Sequence, residues 1–240
     1  MSKLPRVIIP GLPHHITQRG NRRCDIFLDP EDRQVFMHIL TEASRRYSLH
    51  HTSYCLMTNH IHLVSAPEYE GSISAAMRDS LGPYAVYFNN KYALKGHLWQ
   101  GRYYACALDA PRFWAAVGYV ERNPVRAGMV ERAEMYRWSS AAAHCGLRGD
   151  PIVEPLPESP SSIRCWSMWL AEEEGEALLK AIRLNTSTGR PYGSEEFVRG
   201  LELRLGRRLL VRPGGRPRRS KSSQWFEFGD SKGDSPATDD

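Results

Sequence analysis

The pattern of apolar and polar positions predicts a short strand followed by a helix in the first part of the chain. Residues 14–19 are predicted to form the strand, which runs into a turn at Gly20-Asn21. Asp29-Pro30 is typical of a helix start, because Asp caps free N–H groups and Pro already has a helical φ. Apolar residues then recur at three- and four-residue spacing, so we expect the helix to run to about Ser48.

The next part of the chain is predicted to form a hairpin followed by a long helix. Residues 52–57 predict one strand and residues 60–67 predict its partner. The two residues between them, 58–59, have the length of a tight hairpin turn. Residues 72–92 have a mostly helical pattern, and Gly82-Pro83 predicts a kink or a restart within it.

An extended segment and three helical patterns follow. Residues 98–108 are extended in pattern, and Asp109-Ala110-Pro111 opens another helix. Apolar spacing predicts two more helices, at about 166–184 and over 197–209. The predicted order is therefore strand, helix, hairpin, helix, strand and helix, with a helical extension behind it.

Two histidines share one face of the second hairpin strand. Side chains alternate along a strand, so His60 and His62 point to one side, whereas Ile61 and Leu63 point to the other. Neighbouring imidazoles on one face form a ready pair of metal ligands. A half-buried strand whose polar face carries histidines has the same pattern, so the spacing leaves both interpretations open.

Tyr119 and Asn123 form a second candidate site. On the helix that starts after Asp109 they lie one turn apart, on a flank away from the apolar stripe and with Arg112 above them. Pro124 disfavours helical geometry at Asn123, which places the pair in the last turn of that helix. This flank is a candidate functional face, and an ordinary exposed tyrosine fits the spacing as well.

Arginines concentrate in one turn and near the C-terminus. The turn that follows the first strand carries Arg19, Arg22 and Arg23. Such a turn can grip phosphate, although a solvated basic turn has the same composition. The second group consists of Arg216, Arg218 and Arg219. Its Gly-Arg-Pro-Arg run can lie in an A·T-rich minor groove, or hold phosphates as a disordered tail.

The overall composition favours an anionic partner, with nucleic acid first. The net charge is +5 and the pI is about 9.0. Five widely spaced cysteines without a C-x-x-C pair argue against a zinc site or a disulfide framework and fit a reducing cytoplasm. The sequence also lacks an apolar run of membrane-spanning length and a secretory signal, so we expect a cytoplasmic protein without membrane association.

Composition divides the chain into four predicted segments. Residues 1–148 are expected to form the main folded domain, and the proline-rich residues 149–165 a linker. Residues 166–221 predict a helical extension that is basic from about residue 186. Residues 222–240 are polar and mixed in charge, which is typical of a disordered tail.

Four motifs, in order and at compatible spacing, resemble the single-tyrosine HUH transposases, where U is a hydrophobic residue. They are His14-His15-Ile16-Thr17-Gln18-Arg19-Gly20-Asn21-Arg22, Leu56-Met57-Thr58-Asn59-His60-Ile61-His62-Leu63-Val64, Leu98-Trp99-Gln100-Gly101-Arg102-Tyr103 and Tyr119-Val120-Glu121-Arg122-Asn123-Pro124-Val125-Arg126-Ala127-Gly128. More narrowly, the chain is similar to the REP-associated tyrosine transposase group. The resemblance covers roughly residues 5–145 and makes 1–148 the catalytic domain.

The resemblance implies both a fold and a chemistry. The fold is α+β, an antiparallel sheet with packed helices of ferredoxin-like or RRM-like shape, which the predicted order of elements fits. His60, His62 and Asn123 would hold a divalent metal, Mg²⁺ or Mn²⁺. Tyr119 would attack the scissile phosphate and form a 5′-phosphotyrosine. The substrate would be single-stranded or hairpin DNA, such as REP-like palindromes, cut by a monomer or a homodimer.

Further arginines have roles in this hypothesis. A free tyrosine has a pKa of about 10, so attack at neutral pH needs a nearby cation or base, and Arg112 and Arg122 are the closest in sequence. The predicted DNA contacts are Arg19, Arg22, Arg23, Arg102, Arg126, Arg216, Arg218 and Arg219.

Three other functions are compatible with parts of the pattern. A DNA-hairpin-binding protein with lost catalysis would not need the Tyr119 hydroxyl. An RNA-binding module on a similar sheet would use exposed aromatic residues and leave the histidines as spectators. A metal-dependent hydrolase with an activated water would form no covalent DNA adduct.

Overall fold

A four-stranded antiparallel sheet lies at the centre of the protein. The computed structural model describes residues 6–161 and 163–210. The strands are β1 (His14–Arg19), β2 (Leu49–Leu56), β3 (His60–Pro67) and β4 (Tyr104–Ala107). They are hydrogen-bonded in the order β2-β3-β1-β4, so β1 and β3 are the central strands.

Helices connect and cover the strands in a ferredoxin-like order. Helix α1 (Pro30–Arg46) joins β1 to β2, α2 (Ser72–Lys91) joins β3 to β4, and α3 (Ala110–Glu121) follows β4. The later helices are α4 (Asn123–Arg126), α5 (Ala141–His144), α6 (Trp166–Ala171), α7 (Glu176–Thr188) and α8 (Glu195–Leu205). The predicted α+β class, an antiparallel sheet with packed helices, is confirmed.

The period-two pattern of the strands separates two hydrophobic layers. Ile16, Ile61 and Leu63 are fully buried in the layer that also contains residues of α1 and α2. Cys55 and Val64 belong to a second buried layer, with residues of α3. Since His60 and His62 alternate with Ile61 and Leu63, they lie on the α3 side of the sheet. The strand alternation thus directs both imidazoles toward the helix that carries Tyr119.

Local signals set the helix starts, whereas long-range contacts set several other bounds. The Asp29 side chain accepts from the N–H of Asp32, and the Asp32 carboxylate accepts from the N–H of Asp29, which forms a capping box at the start of α1. Helix α2 continues through Pro83, so the restart that was one of the two predicted outcomes does not occur. Pro83 is exposed, so the carbonyl that it leaves unpaired can bond to water. Strand β2 begins at Leu49, earlier than predicted, because it pairs with β3 as far as Pro67.

The helix predicted over about 166–184 is wrong in its bounds, since two helices occupy the region. Helix α6 ends at Ala171 and α7 begins at Glu176. Between them, Glu174 turns inward and forms ion pairs with Arg122 and Arg126. An ion pair that is largely shielded from water is stronger than a solvated one, which favours this break in the acidic run.

The C-terminal helices pack against the sheet. Ile182 of α7 is buried in the layer that contains α3. Farther along the chain, the N–H of Tyr192 donates to the carbonyl of Ala107 at 2.8 Å. Val198 of α8 packs in a cluster with Val7. The division into segments 1–148, 149–165, 166–221 and 222–240 stays a prediction, and the predicted tail 222–240 lies outside the described residues.

Within the described part of the chain, no helix is both long and apolar enough to span a membrane.

Two histidines away from the candidate site are buried in their neutral form. His14 Nδ1 donates to the carbonyl of Leu12 at 2.8 Å, and its Nε2 accepts the N–H of Ile9 at 3.2 Å. His51 lies between the hydroxyls of Ser44 and Ser65, at 2.7 and 2.6 Å. Burial lowers the pKa of each imidazole to about 4.

We expect the free energy of unfolding to fall as the pH drops from about 6.5 to about 4. In this window the unfolded chain binds a proton at each histidine while the folded state stays neutral, which destabilises folding by on the order of 3 kcal/mol per buried histidine. Urea unfolding across this range measures the fall. His51→Asn should make it shallower, and His38→Asn, at an exposed position, should not. Equal slopes for wild type and His51→Asn would contradict this origin.

Candidate active site

A cavity of about 770 Å³ opens on the α3 side of the sheet. Its lining includes His60, His62, Tyr119 and Asn123. Four arginines also line it: Arg19, Arg23, Arg126 and Arg183. The residues that the sequence proposed as metal ligands and nucleophile therefore share one cavity with a strongly cationic wall.

The two histidines of β3 are held at fixed ring orientations. Their ring centroids lie 4.9 Å apart. His60 Nδ1 donates to the side-chain oxygen of Asn59 at 2.6 Å. His62 Nδ1 lies 2.9 Å from Nε2 of His15 on the neighbouring strand. Each imidazole therefore has Nδ1 engaged by protein and Nε2 left over as a possible ligand.

Both imidazoles are kept in the neutral state that a metal requires. Burial, assisted by the charge of Arg19, lowers the pKa of His60 to about 4. Burial, with smaller contributions from His60, His15 and nearby arginines, lowers the pKa of His62 well below its usual value. Neither side chain needs to lose a proton at neutral pH before it can donate a lone pair.

Tyr119 lies against the histidines rather than on an exposed flank. Its ring meets His62 and His15 edge-on, with centroids 5.5 and 5.6 Å away. The residue is 5% exposed. The prediction that it sits off the buried stripe is wrong, because α3 packs on the sheet with the Tyr119 side toward β3 and β1.

Asn123 lies on the following turn, but its backbone is helical. Helix α4 starts at Asn123, and the linking residue Arg122 keeps φ −79° and ψ −7°. The predicted effect of Pro124 on Asn123 is therefore wrong, since Pro124 occupies the first turn of α4, where its missing N–H is not needed. The Asn123 Oδ1 accepts from Arg126 at 2.8 Å, and Nδ2 donates to the carbonyl of Val120.

The cation beside Tyr119 is Arg126, which corrects the two candidates named from the sequence. The guanidinium carbon of Arg126 lies 4.4 Å from the Tyr119 ring centroid. Arg112 instead pairs with Asp109 at 3.3 Å. Arg122 is directed to the carbonyl of Leu170 and to Glu174. Sequence proximity misplaced the cation because each of these arginines leaves the helix in a different direction.

The arginine turn is held in an unusual backbone conformation. Arg22 and Arg23 have φ of 52° and 63°, in the left-handed region that favours glycine. Glycine is required at position 20, because the Cβ of any other residue would lie 2.2 Å from the carbonyl oxygen of Cys24. Asn59 ties the turn to the hairpin by donating to the carbonyl of Arg23 at 3.0 Å.

The predicted DNA contacts therefore divide into three groups. Arg19, Arg23 and Arg126 line the cavity. Arg22 and Arg102 are exposed and lie outside the cavity lining. Arg216, Arg218 and Arg219 lie outside the described residues. Arg183 of α7 lines the cavity although its sequence context did not single it out.

Sequence reasoning also missed two side chains next to the candidate metal pair. His15 is on β1, and its face could have been deduced from strand alternation, but the pairing of β1 with β3 could not. Thr186 is on α7, and its hydroxyl lies 2.8 Å from Nδ1 of His15. No local pattern marks Thr186, since its partner is 171 residues away.

The donors present suit a hard or borderline divalent cation. Among the described residues no group of three or more His, Cys, Asp or Glu side chains is arranged to hold a metal. The available set is two imidazole nitrogens and the amide oxygen of Asn123, which has a second lone pair beside its bond to Arg126. Such a mixed set fits Mn²⁺ well and Mg²⁺ with water or phosphate oxygens completing the shell.

The likeness to one solved structure supports this fold. A solved structure of a REP-associated tyrosine transposase bound to a REP hairpin is 20% identical, covers 66% of this chain and 100% of its own, and has a TM-score of 0.51. A crystal structure described as a "putative transposase" from Deinococcus radiodurans R1 is 18% identical, covers 50% of this chain and 96% of its own, and has a TM-score of 0.35. No curated protein matches the chain significantly.

A family model described as IS200-like transposase matches residues 9–123. This range contains β1, the His60 and His62 pair, Tyr119 and Asn123. The match confirms the transposase family that the motifs predicted, and residues 9–123 of the chain belong to the IS200-like transposase family.

Proposed function

We propose that the protein is a metal-dependent single-strand DNA endonuclease and strand transferase of the REP-associated, single-tyrosine kind. It would cut single-stranded DNA beside a hairpin through a 5′-phosphotyrosine at Tyr119. One observation supports this most directly: the tyrosine, the two histidines and Asn123 line the same cavity of one chain. Because one chain supplies all four, we propose that a monomer can perform the cleavage.

The nucleophile in this proposal is the Tyr119 hydroxyl. The hydroxyl proton passes to water as the oxygen forms a bond to phosphorus and the bond from phosphorus to the 3′ oxygen breaks. The leaving 3′ oxygen takes up a proton from water. Arg126 lies over the Tyr119 ring and favours negative charge there. Glu174 holds Arg126 in place and neutralises part of its charge.

His60, His62 and Asn123 would hold the divalent metal, which when bound polarises the scissile phosphate and offsets charge on the leaving oxygen. A REP-associated tyrosine transposase of similar fold was solved bound to a REP hairpin, and we propose a hairpin-containing DNA as the partner here. Arg19 and Arg23 would hold the flanking strand by its phosphates. The substrate is single-stranded at the cut, because a recessed tyrosine cannot reach a phosphate within a duplex.

A covalent adduct is the result that tests the proposal. Wild-type protein incubated with a hairpin oligonucleotide carrying a single-stranded flank should form a DNA adduct that survives denaturing electrophoresis, with Mn²⁺ or Mg²⁺ present and not with a chelator. His60→Ala should lose the adduct, because the metal pair is broken. His38→Ala, an exposed histidine outside the cavity, should retain it.

The burial of Tyr119 favours one alternative, a hairpin-binding protein without cleavage. At 5% exposure the hydroxyl has little access to DNA unless the neighbouring side chains move. Hairpin binding with no adduct under either metal would support that alternative. Equally tight binding to the ribo-oligonucleotide of the same sequence would instead indicate an RNA-binding module.

A further inference from the structure

A buried row of hydrogen bonds connects α7 to the candidate metal pair. Thr186 Oγ1 lies 2.8 Å from Nδ1 of His15, and Nε2 of His15 lies 2.9 Å from Nδ1 of His62. All three side chains are almost fully buried. We refer to these three side chains as the Thr186–His15–His62 row. Thr186 lies outside the residues that match the transposase family, so this chain's own C-terminal segment supplies one end.

The hydrogen bonds of the row can donate in either of two directions, because each histidine has two tautomers. In the first, His62 donates through Nδ1 to His15, and His15 donates through Nδ1 to Thr186. The nitrogen left on His62 then carries a lone pair. In the second direction, Thr186 donates to His15 and His15 donates to His62, which leaves an N–H on the Nε2 of His62. Only the first direction makes His62 a metal ligand.

The charge around the cavity selects the first direction. His62 shares the cavity with Arg19, Arg23, Arg126 and Arg183. An N–H pointing into this space would place the positive end of its dipole toward cations, whereas a lone pair is attracted to them. At the other end, Cys106 Sγ lies 3.4 Å from Thr186 Oγ1 and can accept the hydroxyl hydrogen. Every donor in the first direction therefore has an acceptor.

We infer that Thr186 and His15 are positioning residues that hold His62 in the tautomer with Nε2 free toward the cavity. The inference rests on the proposed function, because the free Nε2 of His62 matters only if that nitrogen binds the metal. His60 reaches the same state by a shorter route, because the Asn59 oxygen can only accept. The two candidate ligands are thus oriented by different parts of the chain, His60 by its own hairpin and His62 through His15 by α7.

Two measurements on the full-length protein test the row. The ¹⁵N–¹H long-range correlation spectrum of the metal-free protein reports which nitrogen of His62 carries the proton. Titration with Mn²⁺ alone, followed by calorimetry, reports affinity without DNA or turnover. In wild type we expect His62 protonated on Nδ1. Thr186→Val removes the acceptor while keeping the side-chain shape, and should shift His62 toward the other tautomer and weaken Mn²⁺ binding about tenfold.

Two further variants separate positioning from general damage. Thr186→Ser restores the hydroxyl and should recover both the tautomer and the affinity. Thr188→Val makes the same change at an exposed position of the same helix and should behave as wild type. A proton on Nε2 of wild-type His62, or a Thr186→Val protein with unchanged tautomer and affinity, would overturn the inference. Absence of both Mn²⁺ binding and a metal-dependent adduct in wild type would overturn the proposed function, and the metal-free spectrum would still decide the direction of the row.

Discussion

Tyr119→Phe is expected to reduce DNA cleavage and the covalent adduct by at least about 1,000-fold, since it removes the oxygen that we propose as the nucleophile and nothing else. The phenylalanine ring keeps the edge contacts with His15 and His62 and the place beneath Arg126. Hairpin binding should therefore change by less than about twofold, because no phosphate contact is lost. Denaturing gels measure the adduct, and a band-shift titration measures the binding.

A matched variant guards against a general effect of removing a tyrosine hydroxyl. Tyr69→Phe makes the same change at an exposed residue outside the cavity lining and should keep full adduct formation. An adduct of normal yield with Tyr119→Phe would place the nucleophile elsewhere. Cleavage by wild type without any adduct would indicate an activated water instead.

Glu121→Gln is expected to lower the free energy of unfolding by on the order of 3 kcal/mol, because it disrupts a buried carboxylate whose oxygens accept several hydrogen bonds. Glu121 is fully buried, and its carboxylate accepts from Ser140 at 2.5 Å, from His144 at 2.6 Å and from the indole of Trp166 at 2.8 Å. Glutamine would replace one of the acceptor oxygens by a donor that faces other donors. Urea unfolding followed by tryptophan fluorescence measures the difference.

An exposed ion pair provides the comparison for Glu121. Glu42 pairs with Arg45 at 2.7 Å on the solvent side of α1. Glu42→Gln should change the stability by less than about 0.5 kcal/mol, because water screens that pair. A Glu121→Gln protein as stable as Glu42→Gln would show that the buried carboxylate does not anchor α3, and with it Tyr119, to α5 and α6.

Local rules predicted the elements of the first half of the chain closely. The strand at His14–Arg19 and the helix start after Asp29 both follow from patterns a few residues long. The predicted bounds of helices are wrong where a contact with a distant residue determines where the helix ends. The predicted helix over about 166–184 breaks because Glu174 pairs with arginines some fifty residues earlier. A restart of the helix at Gly82-Pro83 does not occur, and both residues are exposed to water.

The candidate site shows the same division. The common face of His60 and His62 is a consequence of strand alternation and needs no tertiary information. The arginine that contacts Tyr119 cannot be predicted in this way, since Arg112, Arg122 and Arg126 are all close to Tyr119 in sequence. Only the docking of α3 and of Glu174 assigns that place to Arg126.

The sequence by itself predicted the transposase family of residues 9–123 through the resemblance of its motifs. It also predicted the order of strands and helices up to α3 and the two histidines on one strand face. The order and the shared face follow from backbone periodicity and helix capping, which act over a few residues. The tertiary structure decided that Tyr119 is buried against the histidines and that His15 joins them from β1. It also decided that Thr186 reaches His15 across 171 residues. Such contacts depend on which strands pair and how helices dock, and no short stretch of sequence encodes that choice.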